Sequence, residues 1–204
     1  MANECMDTVV FYAVSEDQEK GLIKFRDAVR CCYDTKGSAD GSSLRRIFEE
    51  NGISVSDLSL RSSVVYSDLE GGHVTLECIS AWNPPYEAYS RLAESFGIGF
   101  VLQAEEPGFS IYYNTDMDKR YLTTEYKVYL AERPEDHSLD GLFDNACGDT
   151  DLYFDSDEEL LEWFRKCGSV NVKTVEQLKE YMDEEYVCIH EFENPYQREI
   201  EELA

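Results

Sequence analysis

The chain has 204 residues, 43% of them hydrophobic and 13% aromatic, which is ample for a packed core and excludes a disordered chain. Its 43 acidic residues against 18 basic ones give a formal charge of −25, a field that repels nucleic acid and anionic membranes and attracts basic proteins. The acidity is concentrated late: residues 134–204 hold 21 acids and 5 bases, residues 1–133 hold 22 and 13.

The opening MANECMD has neither the basic start nor the apolar run of a signal peptide, and no segment approaches the roughly 18 apolar residues of a membrane span. A cytoplasmic location is therefore expected. Residues 8–14, TVVFYAV, are β-branched and aromatic and predict a strand. Ser15-x-x-Gln18 is a capping box that opens a helix to about Tyr33, with Leu22, Phe25, Val29 and Cys32 as its buried stripe. A polar loop over residues 34–43 precedes a short helix over residues 44–51, stopped by Asn51-Gly52. Val64, Val65 and Tyr66 predict a further strand before Glu70-Gly71-Gly72.

In residues 73–80 the side chains of Val74, Leu76, Cys78 and Ser80 alternate with Thr75, Glu77 and Ile79, the period of a half-buried strand. Asn83 as N-cap, Pro84 at the first helical position and Glu87 in the first turn predict a helix start. Tyr86, Tyr89, Leu92, Ala93 and Phe96 form its apolar stripe and Gly97 ends it. Phe100, Val101 and Leu102 resume a strand, so strand, helix and strand predict a right-handed parallel crossover with the helix covering one sheet face. Glu105-Glu106-Pro107-Gly108 predicts a turn that returns residues 109–114 antiparallel.

Residues 121–131 predict another strand, and Arg133-Pro134 marks a boundary between a domain over residues 1–133 and an acidic α/β subdomain over residues 134–204. In the subdomain, residues 152–192 read as strand, helix, helix, strand. Residues 155–159 cap a helix with Leu160, Leu161 and Phe164 inward, and Thr174-x-x-Gln177 boxes a second, to about Tyr186, with Val175, Leu178 and Met182 apolar. Residues 195–204 predict a loose acidic helical tail.

Few residues point to chemistry. The three histidines, His73, His137 and His190, are far apart and away from any cysteine pair, so no metal centre is expected. The run of Asp149, Asp151, Asp155, Asp157 and Glu158 lacks the glycine and terminal glutamate of a calcium loop, and helix capping explains its end more economically. Glu70-Gly71-Gly72 leads into a strand, not a helix N-terminus, which argues against a phosphate cradle. The seven cysteines are odd in number and lack a C-x-x-C, so free thiols are expected, Cys31-Cys32 beside Arg30 being the least inert. Trp82 has two readings. It packs across the strand end and anchors Pro84-Pro85, or it joins Tyr86 and Tyr89 in an exposed aromatic patch for a partner.

The run Ala81-Trp82-Asn83-Pro84-Pro85 after a strand, followed by a short helix, a Phe-x-Leu strand and Glu105-Glu106-Pro107-Gly108-Phe109, resembles the YubB-type ferredoxin-like domain of plasmid- and phage-borne proteins. The resemblance covers about residues 8–116 and is specific over about 75–110; a counterpart of the family's Trp-Gly-x-Lys-Trp-like segment is missing. Together with the pattern it implies an α+β protein, a ferredoxin-like βαββαβ core extended by a hairpin and an acidic α/β C-terminal subdomain. The word ferredoxin describes topology and implies no iron–sulfur cluster.

Such a fold hosts many activities, so function must come from the surface. The leading expectation is a non-enzymatic cytoplasmic accessory protein of a mobile element that binds a basic protein partner through its acidic surface, without cofactor, metal, direct nucleic-acid contact or membrane. One alternative is a DNA mimic whose carboxylates fill the basic groove of a DNA-binding or host-defence enzyme; another is an enzyme of unassigned reaction. The candidate contact residues are Trp82, Tyr86 and Tyr89 on one side and Asp149, Asp151, Asp155, Asp157 and Glu158 on the other.

Overall fold

A computed structural model describes residues 3–33 and 43–197. The chain is α+β and divides into two compact units, Met1–Met117 with Pro195–Ala204, and Asp118–Asn194. The division therefore lies at 117/118, not at the expected 133/134. Strand pairing moves it: β6, Tyr126–Leu130, hydrogen-bonds to β7, Asp151–Phe154, on one side and to β8, Val187–Glu191, on the other.

In the first unit, β1 (Glu4–Tyr12), β2 (Ser62–Asp68), β3 (His73–Ala81), β4 (Gly99–Glu106) and β5 (Ile111–Asn114) form one antiparallel sheet in the order β2-β3-β1-β4-β5. β1 is central, pairing with β3 from Glu4↔Ala81 to Tyr12↔His73 and with β4 from Met6↔Glu105 to Tyr12↔Gly99. β3 and β4 consequently run in the same direction with β1 between them. The helices α1 (Glu16–Tyr33), α2 (Arg45–Glu50) and α3 (Tyr86–Phe96) bury Leu22, Phe25, Ile47, Phe48, Tyr89 and Leu92 in one core with Val9, Phe11, Leu76 and Leu102. The predicted stripe of α1 is the buried one. At its start Ser15 Oγ accepts from the Gln18 N–H and Gln18 Oε1 accepts from the Val14 N–H.

Two local features differ from expectation. α3 starts at Tyr86 with Pro85 at the N-cap and no side-chain cap, while Asn83 stays outside the helix. A residue that precedes proline is pushed out of the helical region, so Pro84 in front of Pro85 cannot serve as the first helical residue. In β2 a bulge between Val64 and Tyr66 leaves Val65 and Tyr66 both exposed. The hairpin forms as expected: Pro107–Phe109 make one 3-10 turn, with the buried Glu106 carboxylate accepting from the N–H groups of Gly108 and Phe109, before β5 returns along β4.

In the second unit the antiparallel sheet β7-β6-β8 packs Val128 and Leu130 against α4 (Asp140–Asn145), α5 (Asp157–Gly168) and α6 (Val175–Tyr181). Leu160, Leu161, Phe164, Val175, Leu178 and Met182 are all buried there. Ser156 and Thr174 cap α5 and α6, accepting from the N–H groups of Glu159 and Gln177. α6 ends at Tyr181, short of Tyr186, because Asp183 opens a turn whose carbonyl accepts from the Tyr186 and Val187 N–H groups. Of the expected loop over residues 34–43 and the expected helical tail over residues 195–204, residues 34–42 and 198–204 lie outside the described residues. No helix among the described residues is long and apolar enough to cross a membrane.

Candidate functional site

At the end of β3 the chain reverses over Ala81-Trp82-Asn83-Pro84-Pro85 to enter α3. Trp82 sits in the left-handed region, φ +77°, which is strained for a bulky side chain. Backbone hydrogen bonds hold it there: the Trp82 N–H donates to the Asn3 carbonyl and the Ala81 N–H to the Arg61 carbonyl, both at 2.9 Å. The indole is thereby turned outward, 41% exposed, with the Phe109 ring 5.8 Å away.

Beside it opens a cavity of about 430 Å3, lined by Leu58 and Arg61 ahead of β2, Ser80 of β3, Trp82 and Pro84 of the turn, Tyr86 and Glu87 of α3, and Tyr196. Tyr196 belongs to the segment that returns to the first unit and stacks on Tyr86, ring centroids 3.7 Å apart and 11° from parallel. Tyr86 in turn lies 5.2 Å from Phe100, which fixes the wall.

Ser80 of the cavity lining donates to a buried carboxyl group, that of Asp7. The period of β1 places it on the core face with Cys5, Val9 and Phe11, and it is 2% exposed. Its Oδ2 accepts from the Ser80 hydroxyl at 2.5 Å and from the Tyr89 hydroxyl at 2.9 Å, and the Cys5 thiol adds a further favourable interaction with the carboxyl group. Burial pushes the Asp7 carboxyl up to about 6, against the hydrogen bonds that favour its charged form. Burial likewise raises the thiols of Cys5 and Cys78, the latter to about 12, and the hydroxyls of Tyr89 and Tyr196, so these neighbours stay neutral at pH 7. A buried carboxylate behind one hydroxyl of an aromatic-lined cavity is the result.

Of the aromatic candidates, Trp82 and Tyr86 line the cavity together. Tyr89 does not: it is fully buried, its hydroxyl committed to Asp7. Trp82 is also no buried anchor, because the left-handed backbone points its ring away from the core.

The acidic candidates have separate positions in the second unit. Asp149 borders a hollow of about 550 Å3 with Arg133, Asp144 and Cys147. Asp151 pairs with Lys127 at 2.9 Å, Asp155 accepts from the Thr123 hydroxyl at 2.8 Å, and Asp157 accepts from the Tyr126 hydroxyl at 2.7 Å. Glu158 is exposed in the first turn of α5, where it complements the helix dipole. Among the described residues no group of three or more His, Cys, Asp or Glu side chains is placed to hold a metal ion. No disulfide joins any of the seven cysteines; of the vicinal pair Cys31 is exposed and Cys32 buried, its thiol raised by that burial.

Sequence reasoning missed Asp7, Ser80, Arg61 and Tyr196. Two of them left a signal: Ser80 stands on the alternating inward face of residues 73–80, and extending the alternation of the first strand back from Thr8 places Asp7 inward. No family model, curated protein or solved structure matches the chain.

Proposed function

We propose that this is a non-enzymatic protein-binding module that captures a basic partner, with the mouth formed by Trp82, Tyr86 and Tyr196 as the centre of contact and the acidic exterior supplying attraction. The carrying observation is Trp82, a large aromatic kept 41% exposed beside a concave site by a strained backbone. Such strain costs on the order of 1–3 kcal/mol and collects at ligand clamps, and rigid aromatics next to pockets dominate binding energies. The charge of −25 favours a basic partner and speeds its approach.

The strand order β2-β3-β1-β4, with α1 and α3 on one face, supports a ferredoxin-like core to which β5 adds an edge. Kinship with YubB-type proteins, and with it an origin on a mobile element, rests on the Ala81 to Pro85 and Glu105 to Phe109 motifs.

Capture from a cell lysate, run in parallel with the native protein and Trp82→Ala, tests the reading. A basic protein retained by the native chain at low salt should be released at high salt and held more weakly, by about tenfold or more, by the variant. Identical captured sets from both proteins would discard the mouth as the contact.

A further inference from the structure

The cavity beside Trp82 has a chemical selectivity of its own. We propose that it is a socket for one cationic side chain, lysine or arginine, presented by the partner; this rests on the binding-module reading and names the group that the module reads.

Its walls and floor both favour a cation. The exposed Trp82 indole lines the cavity and offers a π system that attracts ammonium and guanidinium groups, and the Tyr86 and Tyr196 rings, stacked on each other, complete the aromatic wall. At the floor, the single proton of the Ser80 hydroxyl is donated to Asp7. Toward anything entering the cavity, Ser80 can then act only as an acceptor, with the Asp7 carboxylate behind it.

Two features could favour an anion instead, and both are weak. A helix N-terminus binds anions through free N–H groups, but Pro84 and Pro85 carry none, the Tyr86 N–H donates to the Pro84 carbonyl, and the N–H groups of Ala88 and Tyr89 donate to the Pro85 carbonyl. Glu87 adds a carboxylate in the first turn. Arg61 is exposed, so water screens its charge.

A neutral occupant fares worse than a cation for a further reason. A positive group beside Ser80 is also attracted by the buried Asp7 carboxylate behind that hydroxyl, an attraction that a neutral occupant lacks.

The test is a nuclear magnetic resonance titration of isotope-labelled full-length protein with three capped pentapeptides. Each is alanine except at its centre, which is lysine, arginine or norleucine. The Trp82 indole N–H reports on the cavity and that of Trp163, in the second unit, serves as control. The lysine and arginine peptides should shift the Trp82 signal with affinity about tenfold above that of the norleucine peptide. Asp7→Asn should remove that preference, and Ser80→Ala, which leaves the carboxylate in place, provides a second variant should the first fail to fold. Equal binding of the norleucine peptide overturns the socket. Shifts confined to the second unit overturn it too, while leaving an acid-driven binding module intact. If a decalysine peptide shifts no signal at all, socket and module both fall.

Discussion

Asp7 concentrates the chemistry of the first unit in one carboxyl group. An aspartate titrates near 3.8 when solvated, and burial pushes Asp7 up to about 6, disfavouring the charge more than the hydrogen bonds of Ser80, Cys5 and Tyr89 restore it. Between those two values the folded chain holds a proton that the unfolded chain has lost. Stability due to Asp7 is therefore complete below pH 4, falls as pH rises to about 6, and is constant above, an effect of about 3 kcal/mol. Asp7→Asn should lack this component. Urea denaturation of both proteins at the two ends of that window checks it: the native protein should lose about 3 kcal/mol more than the variant on going to the higher pH. Parallel losses would mean that Asp7 does not titrate within that window. The same residue explains why so little of the site was legible. Trp82 and Tyr86 announce themselves by type, but a single Asp ahead of an apolar strand looks like a solvated end until its pairing with Cys78 and its cover by α3 are known.

At the scale of elements, each unit contains a helix contact that only glycine permits. A Cβ built on Gly21 of α1 would collide with the Phe96 carbonyl oxygen at the end of α3, and one on Gly141 of α4 with the Cys167 carbonyl oxygen of α5. Backbone cannot yield as a flexible side chain can. Gly21→Ala should consequently destabilise by about 1–3 kcal/mol even though alanine is the better helix former by about 1 kcal/mol, with Gly141→Ala acting in the same direction. Thermal denaturation of the two variants decides, and a raised melting temperature in either would show that its helices can move apart. Local elements were otherwise well written in the chain, since capping boxes, alternation and the terminal Gly97 act over a few residues. What alternation cannot encode is the partner of a strand. Residues 126–130 follow a hairpin of the first unit and read naturally as its next strand, yet their partners lie about 25 and 60 residues further on, at β7 and β8.

Across the whole molecule, charge is the feature that most shapes behaviour. Residues 118–194 hold 21 acids and 8 bases, so even if every base neutralised one acid, 13 carboxylates would face one another in a unit of 77 residues. The observed pairs of Lys127 with Asp151, Arg133 with Asp140 and Asp144, Lys166 with Glu162, and Lys179 with Glu191 relieve this only locally. All but Lys127 are substantially exposed, and exposed pairs contribute at most about 1 kcal/mol. Repulsion among the remainder must persist in the folded state, where the carboxylates are held closer than in the expanded chain. Salt shortens the reach of that repulsion to about 8 Å at physiological ionic strength while costing the exposed pairs little. Near neutral pH, the melting temperature should rise when salt is increased from very low to that level, and an oligolysine peptide should produce the same rise at far lower concentration. The order of effectiveness is the informative part, because a polycation bound at the acidic surface stabilises by occupancy, whereas monovalent salt stabilises only by screening. A melting temperature that stays fixed or falls with added salt would mean that the carboxylates are not strained against one another, and the electrostatic motive for capturing a basic partner would be gone.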